Sequence, residues 1–358
     1  MASMAQAIRM ALHYGESHLN VTDIFGQDVG APLGGVFTAT QGLKNAWNTP
    51  LDERGIISAA IGIGLAGDRC VAEIQFADYI FNTIDLLKIA GNTLWASNGQ
   101  YPLPIVVMTP VGAGIRGSIY HSHSFDSWAT RMAGWKIVMP STPRDAYGLM
   151  ISAILDPNPV MYLNPKALMR VRGTELIPGE PSDEKELKSR IDQPVAGINS
   201  SGRKVSWRPN WPEGLTDFQI PIGKAAVTRE GDKATLVTYG RMVHTANKVA
   251  DMVREEGQAV DVIDLRSLYP YDWAAIKASV QKTKRVLFVN EDTEVTNFGE
   301  HLCYRTTTEL FYELEARPRV LAGRQVPGIG LQPNLEEASV PQLEDVMHEV
   351  RELLSEVP

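Results

Sequence analysis

The sequence predicts an α/β protein with two parallel-sheet domains covered by helices. Three observations carry that expectation. Short β-branched runs alternate with longer amphipathic segments, the alternation restarts near residue 221, and 358 residues suffice for two full cores. In the first series, residues 69–75, 103–109, 135–139 and 159–163 read as strands. Helices are expected at about 81–97 and 142–155, and in the former Ile84, Leu87, Lys88, Gly91 and Leu94 fall at helical spacing. The second series offers strands at 234–239, 259–264 and 285–290. Helical patterns accompany them at about 242–256, 272–282, 298–314 and 341–354. Between the two series, residues 172–220 are dense in Pro, Gly, Ser and charge, and read as a linker with an extended insertion. The expected domains are therefore 1–171 and 221–358. Trp207 and Trp211 stand out in the linker and are expected to pack on a surface of this chain or of another.

A hydrophobic fraction of 44% and a charged fraction of 21% are those of an ordinary globular protein. The formal charge of −8, with no long basic run, argues against a general nucleic-acid binder. Cys70 and Cys303 form neither a disulfide framework nor a zinc site, which points to a reducing compartment. No apolar run approaches membrane-spanning length, and Met1 to Leu12 lack the marks of a secretory signal. A cytosolic protein is expected, or an organellar one already trimmed.

Two stretches could carry chemistry. In Asn48-Thr49-Pro50-Leu51-Asp52-Glu53-Arg54-Gly55, a lone Glu53 sits at the mouth of an apolar run rich in Gly and Ala, residues 56–67. As a helix, that run would admit another backbone or a flat ligand, and a carboxylate at its mouth would lose water and protonate readily. Glu53 then either shuttles a proton or suits the dipole at the start of a core helix. The second stretch is Gly112-Ala113-Gly114-Ile115-Arg116-Gly117-Ser118-Ile119-Tyr120-His121-Ser122-His123-Ser124. It follows an expected strand, where open α/β sheets bind ligands, yet matches neither a dinucleotide fingerprint nor a phosphate loop. His121 and His123 around Ser122 suit proton transfer; two residues apart in a loop without nearby acids, they make a poor metal pair. One structural and one exposed histidine is the alternative. An aromatic within residues 73–81 either stacks on a flat heterocycle or fills the core.

Taken in order, these pieces resemble the β subunits of the thiamine-diphosphate-dependent 2-oxoacid dehydrogenases, the decarboxylating component of the branched-chain and pyruvate complexes. The resemblance runs over nearly the whole chain. Its motifs are Asp23 to Gly30, Asn48 to Glu53, Gln75 to Phe81, Tyr120 to His123, Met139 to Pro143 and Asn164 to Leu168, then Asp264 to Pro270 and Val289 to Asp292. It implies a transketolase-like pyrimidine-binding domain first and a transketolase C-terminal-like domain second. By resemblance, Glu53 hydrogen-bonds N1′ of the cofactor's aminopyrimidine and favours the imino tautomer that deprotonates thiazolium C2. The ring so activated attacks the 2-oxoacid carbonyl and accepts the electrons left by CO2. Tyr79 matches the aromatic packed on the aminopyrimidine. His121 matches the histidine that faces the substrate and assists acyl transfer to lipoyl. A potassium (K+) loop is also implied, from Ala153, Ile154, Asp156 and Asn158 with Ile105 on the neighbouring strand; a surface turn explains residues 156–159 equally well.

The Gly-Asp-Gly motif that would hold diphosphate and Mg2+ is not in the sequence, since Gly231-Asp232-Lys233 lacks the third glycine. The resemblance thus implies half an active site, completed by an α subunit in an α2β2 heterotetramer. A lipoyl-bearing acyltransferase would be a further partner and a small 2-oxoacid the substrate. Gln27, His123, Arg131 and Asn164 stand where the family usually has Glu, Gln, His and Glu, residues 42–48 are shorter than usual, and 172–220 is longer. The expectation is a branched-chain (2-oxoisovalerate type) β subunit, on Phe76 to Phe81 and Tyr120 to Ser122. A pyruvate or acetoin dehydrogenase β subunit, a split transketolase-type enzyme and a non-catalytic α-binding paralogue are the alternatives. The expected location is the cytoplasm, or the mitochondrial matrix in a eukaryote.

Overall fold

The computed structural model describes residues 1–192, 196–198, 204–206 and 208–357. Along the chain come α1 (Met4–His18), β1 (Val21–Gly26), β2 (Ala46–Asn48), α2 (Glu53–Leu65), β3 (Arg69–Glu73) and α3 (Ile84–Ala96). Next are β4 (Ile105–Val111), α4 (Asp126–Thr130), β5 (Lys136–Val138), α5 (Pro143–Leu155), β6 (Val160–Pro165) and α6 (Glu184–Ile191). A short antiparallel hairpin follows, β7 (Ala196–Ile198) with β8 (Lys204–Ser206). Then come β9 (Ala226–Arg229), β10 (Thr235–Thr238), α7 (Met242–Glu255), β11 (Asp261–Asp264), β12 (Ser267–Tyr269) and α8 (Trp273–Thr283). The chain closes with β13 (Val286–Thr293), α9 (Phe298–Leu310), β14 (Arg319–Gly323), α10 (Pro333–Ser339) and α11 (Leu343–Ser355). Contacts divide it into two compact units. One comprises Met1–Pro110, Met132–Asn164 and Leu168–Ile222; the other comprises Val111–Arg131, Pro165–Ala167 and Gly223–Pro358.

In the first unit the strands lie in the order β5-β6-β4-β3-β1-β2. The ladders β1–β2, β1–β3, β3–β4 and β5–β6 are parallel. Gly26 pairs with Glu73 and Glu73 with Met108, so the carboxyl ends of three neighbouring strands line up at one edge. Open parallel sheets build their sites at that edge. Helix α1 packs on α5. Its start is closed by a capping box, with Gln6 N–H donating to Ser3 Oγ and Ser3 N–H to Gln6 Oε1. Every residue from Met4 to Leu12 is buried, including Gln6 and Arg9 on the helix's polar stripe, which continues at His13 and Glu16.

The segment after residue 207 forms an ordered strap. Tyr147 donates its hydroxyl to Thr216 O at 2.6 Å, and Ser152 donates to Ile220 O at 2.7 Å, which lays the strap along α5. Trp211 stacks on His13 of α1 at 4.1 Å, so this chain itself provides a surface for it. Trp207 lies outside the described residues.

The second unit has strand order β14-β13-β10-β11-β9, parallel except for the antiparallel edge strand β9. Helices α7 and α11 bury Val249, Val253, Val346 and Val350 with Leu236, Val262 and Leu287 of the sheet. Among the described residues, no helix is long and apolar enough to cross a membrane.

Candidate active site

Glu53 opens α2, directly after the turn that leaves β2. Its carbonyl neighbour Asp52 is the N-cap, through its backbone rather than its side chain. Tyr79 lies on a 3-10 helix, Ala77–Thr83, that leaves the carboxyl end of β3. This short helix replaces the first turn of the helix expected from residue 81. Asn82 on the same turn donates Nδ2–H to Glu53 Oε2 at 3.2 Å. Arg54 locks that turn in place: its guanidinium donates to Asn82 O at 2.8 Å and to both oxygens of Asp85, at 2.6 and 2.8 Å. That paired guanidinium holds the Asp85 carboxyl down, to about 2. Burial pushes the Tyr79 phenol up, and the charges of Asp78 and Glu53 add to the shift. Tyr79 also meets Phe76 edge-on at 5.8 Å. Glu53 and Tyr79, far apart in sequence, are therefore neighbours, with Asn82 and Arg54 holding them. Sequence reading missed the two holders, because an amide and an arginine on exposed helical turns carry no distinguishing signal.

The expected loss of water falls on a different acid. Glu53 is only half-buried in this chain, since the first turn of α2, with Asp52, Arg54 and Gly55, faces outward. Glu73, the last residue of β3, is 2% exposed. Its Oε1 accepts Val36 N–H at 3.0 Å, and among the described residues Oε2 has no hydrogen-bond partner. Burial pushes this carboxyl up to about 8.

In the second unit, the glycine-rich loop ends in a 3-10 turn, Ser118–Tyr120, and then His121. His121 Nδ1 lies 3.0 Å from Gly117 O. A carbonyl only accepts, so in the neutral ring the proton is on Nδ1 and the lone pair on Nε2. Ser122 is buried while His121 and His123 are half-buried. Gly112 N–H donates to His123 O at 3.1 Å and closes the loop.

Behind the loop lies an acid pair not singled out from the sequence. Asp126, at the start of α4, is buried and its carboxyl is pushed well up, first by burial and then by the charges of Asp292 and Glu291. Asp292 accepts the N–H groups of Ser127 and Thr293, each at 2.9 Å, so Asp126 is the member that keeps a proton. Its neighbour Tyr239 stays a phenol for the same reason, burial. A cavity of about 500 Å³ in this unit is lined by Tyr269, Tyr271, Phe298, His301, Tyr304 and Arg131, and it holds Arg131 and the motif residue Tyr269 but neither His121 nor His123. That guanidinium donates to Thr296 O at 2.5 Å.

The residues implied for K+ cluster in the first unit, where Ile105, Ala153 and Ile154 are buried. The Asp156 carboxylate is already taken. Oδ1 accepts Asn158 N–H at 2.9 Å and Nδ2–H at 3.0 Å, and Oδ2 pairs with Lys136 Nζ. Ile154 O accepts Arg69 Nε–H at 3.0 Å. Of the departures from the family pattern, Asn164 is buried with neither amide atom hydrogen-bonded to a described residue, and Gln27 Oε1 is in the same position. Among the described residues, no group of three or more His, Cys, Asp or Glu is placed to hold a metal ion.

Comparison with known proteins supplies the context for this geometry. Residues 1–172 match the family profile "Transketolase, pyrimidine binding domain", and residues 223–346 match "Transketolase, C-terminal domain". The 2-oxoisovalerate dehydrogenase subunit beta of Bacillus subtilis is 34% identical over 98% of both chains. The protein of the same description from Pseudomonas aeruginosa is 36% identical over 91% of this chain and 88% of its own. The pyruvate dehydrogenase E1 component subunit beta of Acholeplasma laidlawii is 33% identical over 89% and 86%. A solved split-gene transketolase, an inactive β4 tetramer, superposes with a TM-score of 0.70 over the full length of both chains at 17% identity, a likeness of fold.

Proposed function

Because the chain belongs to the β subunits of the thiamine-diphosphate-dependent 2-oxoacid dehydrogenases, a transketolase-like family, we propose that it contributes the pyrimidine-activating half of the active site in a branched-chain 2-oxoacid dehydrogenase. The observation that carries the reading is the meeting of Glu53, Asn82 and Tyr79 beyond the carboxyl ends of β2 and β3. This set fits the aminopyrimidine end of thiamine diphosphate. Asn82 occupies Glu53 Oε2, which leaves Oε1 for a ring nitrogen, and Tyr79 supplies an aromatic neighbour. When bound, the cofactor supplies the electron sink for decarboxylation. Glu53 holds the proton at N1′, while Arg54 and Asn82 keep the carboxylate from turning away. His121 handles the proton at Nε2 during acyl transfer to lipoyl.

The diphosphate and Mg2+ belong, in this reading, to an α subunit in an α2β2 heterotetramer that also meets a lipoyl-bearing acyltransferase. K+ would rest on backbone carbonyls of Ile105, Ala153, Asp156 and Asn158, because Lys136 and Asn158 occupy the Asp156 carboxylate and the Arg69 guanidinium occupies Ile154 O. The enzyme works in the cytoplasm, or in the mitochondrial matrix of a eukaryote. The relatives favour 2-oxoisovalerate over pyruvate only narrowly, so both substrates enter the test.

The chain is co-expressed with its α subunit, and decarboxylation of 2-oxoisovalerate and pyruvate is followed with an artificial electron acceptor. Turnover is expected of the pair alone, with 2-oxoisovalerate preferred, and Glu53→Gln should lower kcat by about 10²–10⁴-fold. Turnover by the isolated chain would overturn the half-site. An unchanged E53Q rate would remove the role of Glu53, and a preference for pyruvate would move the enzyme to the pyruvate dehydrogenases.

A further inference from the structure

We infer that Glu336 is the positioning residue for the loop that carries His121, acting as the internal anion that fills the loop's own backbone cradle. The loop alternates into left-handed backbone, with φ of +84° at Gly112, +97° at Gly114, +58° at Arg116 and +64° at Ser118. Such alternation turns successive N–H groups toward one point and makes an anion-binding concavity. The point is occupied from within. Glu336 on α10 is 8% exposed, and its Oε1 accepts Gly114 N–H at 3.0 Å while Oε2 accepts Arg116 N–H at 2.8 Å. A glycine-rich loop that resembles a phosphate cradle without matching its motif thus has its anion built in.

The grip reaches the histidine in two steps. Arg116 N–H is fixed on Glu336, and the next residue, Gly117, offers the carbonyl that lies 3.0 Å from His121 Nδ1. A side chain on Gly117 would come within 2.5 Å of His121 O, so loop and histidine are packed as one piece. Two further contacts oppose sliding. A Cβ on Gly114 would meet Ala167 at 2.8 Å, and one on Gly328, in the turn before α10, would meet Ile119 at 2.8 Å. Arg241, paired with Glu291 at 2.5 Å, stands close enough to Glu336 to interact with its charge. Removing Glu336 would leave two backbone donors without their acceptor and the Gly117 carbonyl without its anchor, which loosens the ring's direction rather than its chemistry.

The inference rests on the assignment of His121 to acyl transfer, and its test separates the two. In the assembled holoenzyme with its α subunit, E336A, E336Q and H121A are compared with wild type by three readouts. These are hydrogen exchange across residues 112–118, lipoyl-dependent acyl transfer, and decarboxylation with the artificial acceptor. E336A should speed exchange at Gly114 and Arg116 by about tenfold or more and slow acyl transfer by about tenfold or more. Decarboxylation should stay within about twofold. E336Q, which keeps one acceptor oxygen, should fall between, and carries the same readouts if E336A does not accumulate. Unchanged exchange in these variants, or loosened amides with wild-type acyl transfer, overturns the clamp. Wild-type acyl transfer in H121A would instead overturn the assignment of the histidine, and the exchange data would still decide whether Glu336 holds the loop.

Discussion

With Val36 N–H on one oxygen and Gly35 packed against the other, the Glu73 carboxyl cannot be rehydrated, and burial pushes it up to about 8 from an ordinary 4.5. The sign of its effect on stability follows. The folded chain keeps a proton that the unfolded chain releases, so the contribution is complete below about 4.5 and is lost as pH rises toward 8. Within that window it amounts to about 1.4 kcal/mol per pH unit. Glu73→Gln, neutral and nearly isosteric, should flatten the decline in urea-unfolding stability between these limits. A mutant curve running parallel to wild type would show that Glu73 does not titrate there. Glu53 has the opposite setting, at the outward end of a helix with Asn82 on one oxygen, and it waits on a partner for whatever desolvation its role requires.

One element is held in a conformation it would not choose. Val36, Phe37 and Thr38 follow one another with φ of 35°, 52° and 84°, where a β-branched residue such as Val36 is strained. Two groups from other elements hold this turn: Glu73 at Val36 N, and Arg9 from α1. Arg9, fully buried, donates Nε–H to Thr38 O at 2.8 Å and NH2 to Thr38 Oγ1 at 2.9 Å, and its remaining donors reach Ile191 O and Asp192 Oδ1 beyond α6. A fully buried arginine is tolerable there only because its planar fork satisfies the turn and the end of α6 together. Arg9→Met should therefore lower unfolding free energy by about 3 kcal/mol in denaturant titration, despite good packing, because buried Ile191 O and half-buried Thr38 and Asp192 lose their donor. Lysine has no fork and should recover only part. A loss below about 1 kcal/mol in Arg9→Met would mean that α1 and the strained turn are held by something else.

At the scale of the whole molecule, the two units share one plan, a parallel sheet covered by helices. The half-site reading makes the response to ions specific. Chelating Mg2+ should abolish turnover of the assembled enzyme and leave the melting temperature of the isolated chain unchanged, since no group of three or more metal-ligating side chains occurs among the described residues. Replacing K+ by choline should instead lower the melting temperature of the isolated chain, if the carbonyls around Asp156 take the ion. A chelator-sensitive isolated chain would place the Mg2+ site here, and an unchanged melt in choline would remove the K+ loop.

Alternation of β-branched runs and amphipathic segments was enough to place β3 to β6, β10, β11, β13 and most of the covering helices, because burial against a sheet imposes a period on the chain. Ordered motifs around Glu53, Tyr79 and His121 were enough for the family. The same patterns were not read for α1, although Gln6, Arg9, His13 and Glu16 mark its polar stripe, nor for β1, which lies between β3 and β2, for β2 itself, or for the edge strands β9 and β14, whose residues are partly exposed and carry no alternation. They also left out Asn82, Arg54, Arg9 and Glu336. Each of these is an ordinary polar residue whose role comes from a backbone amide, a carbonyl or a carboxylate brought to it from elsewhere in the fold. Composition and period determined the fold class and most of its elements, and the ordered motifs spelled the family. Only the tertiary structure decided that this chain by itself closes over Glu73 and leaves Glu53 half-buried, because desolvation depends on what closes over a side chain and not on its sequence neighbours.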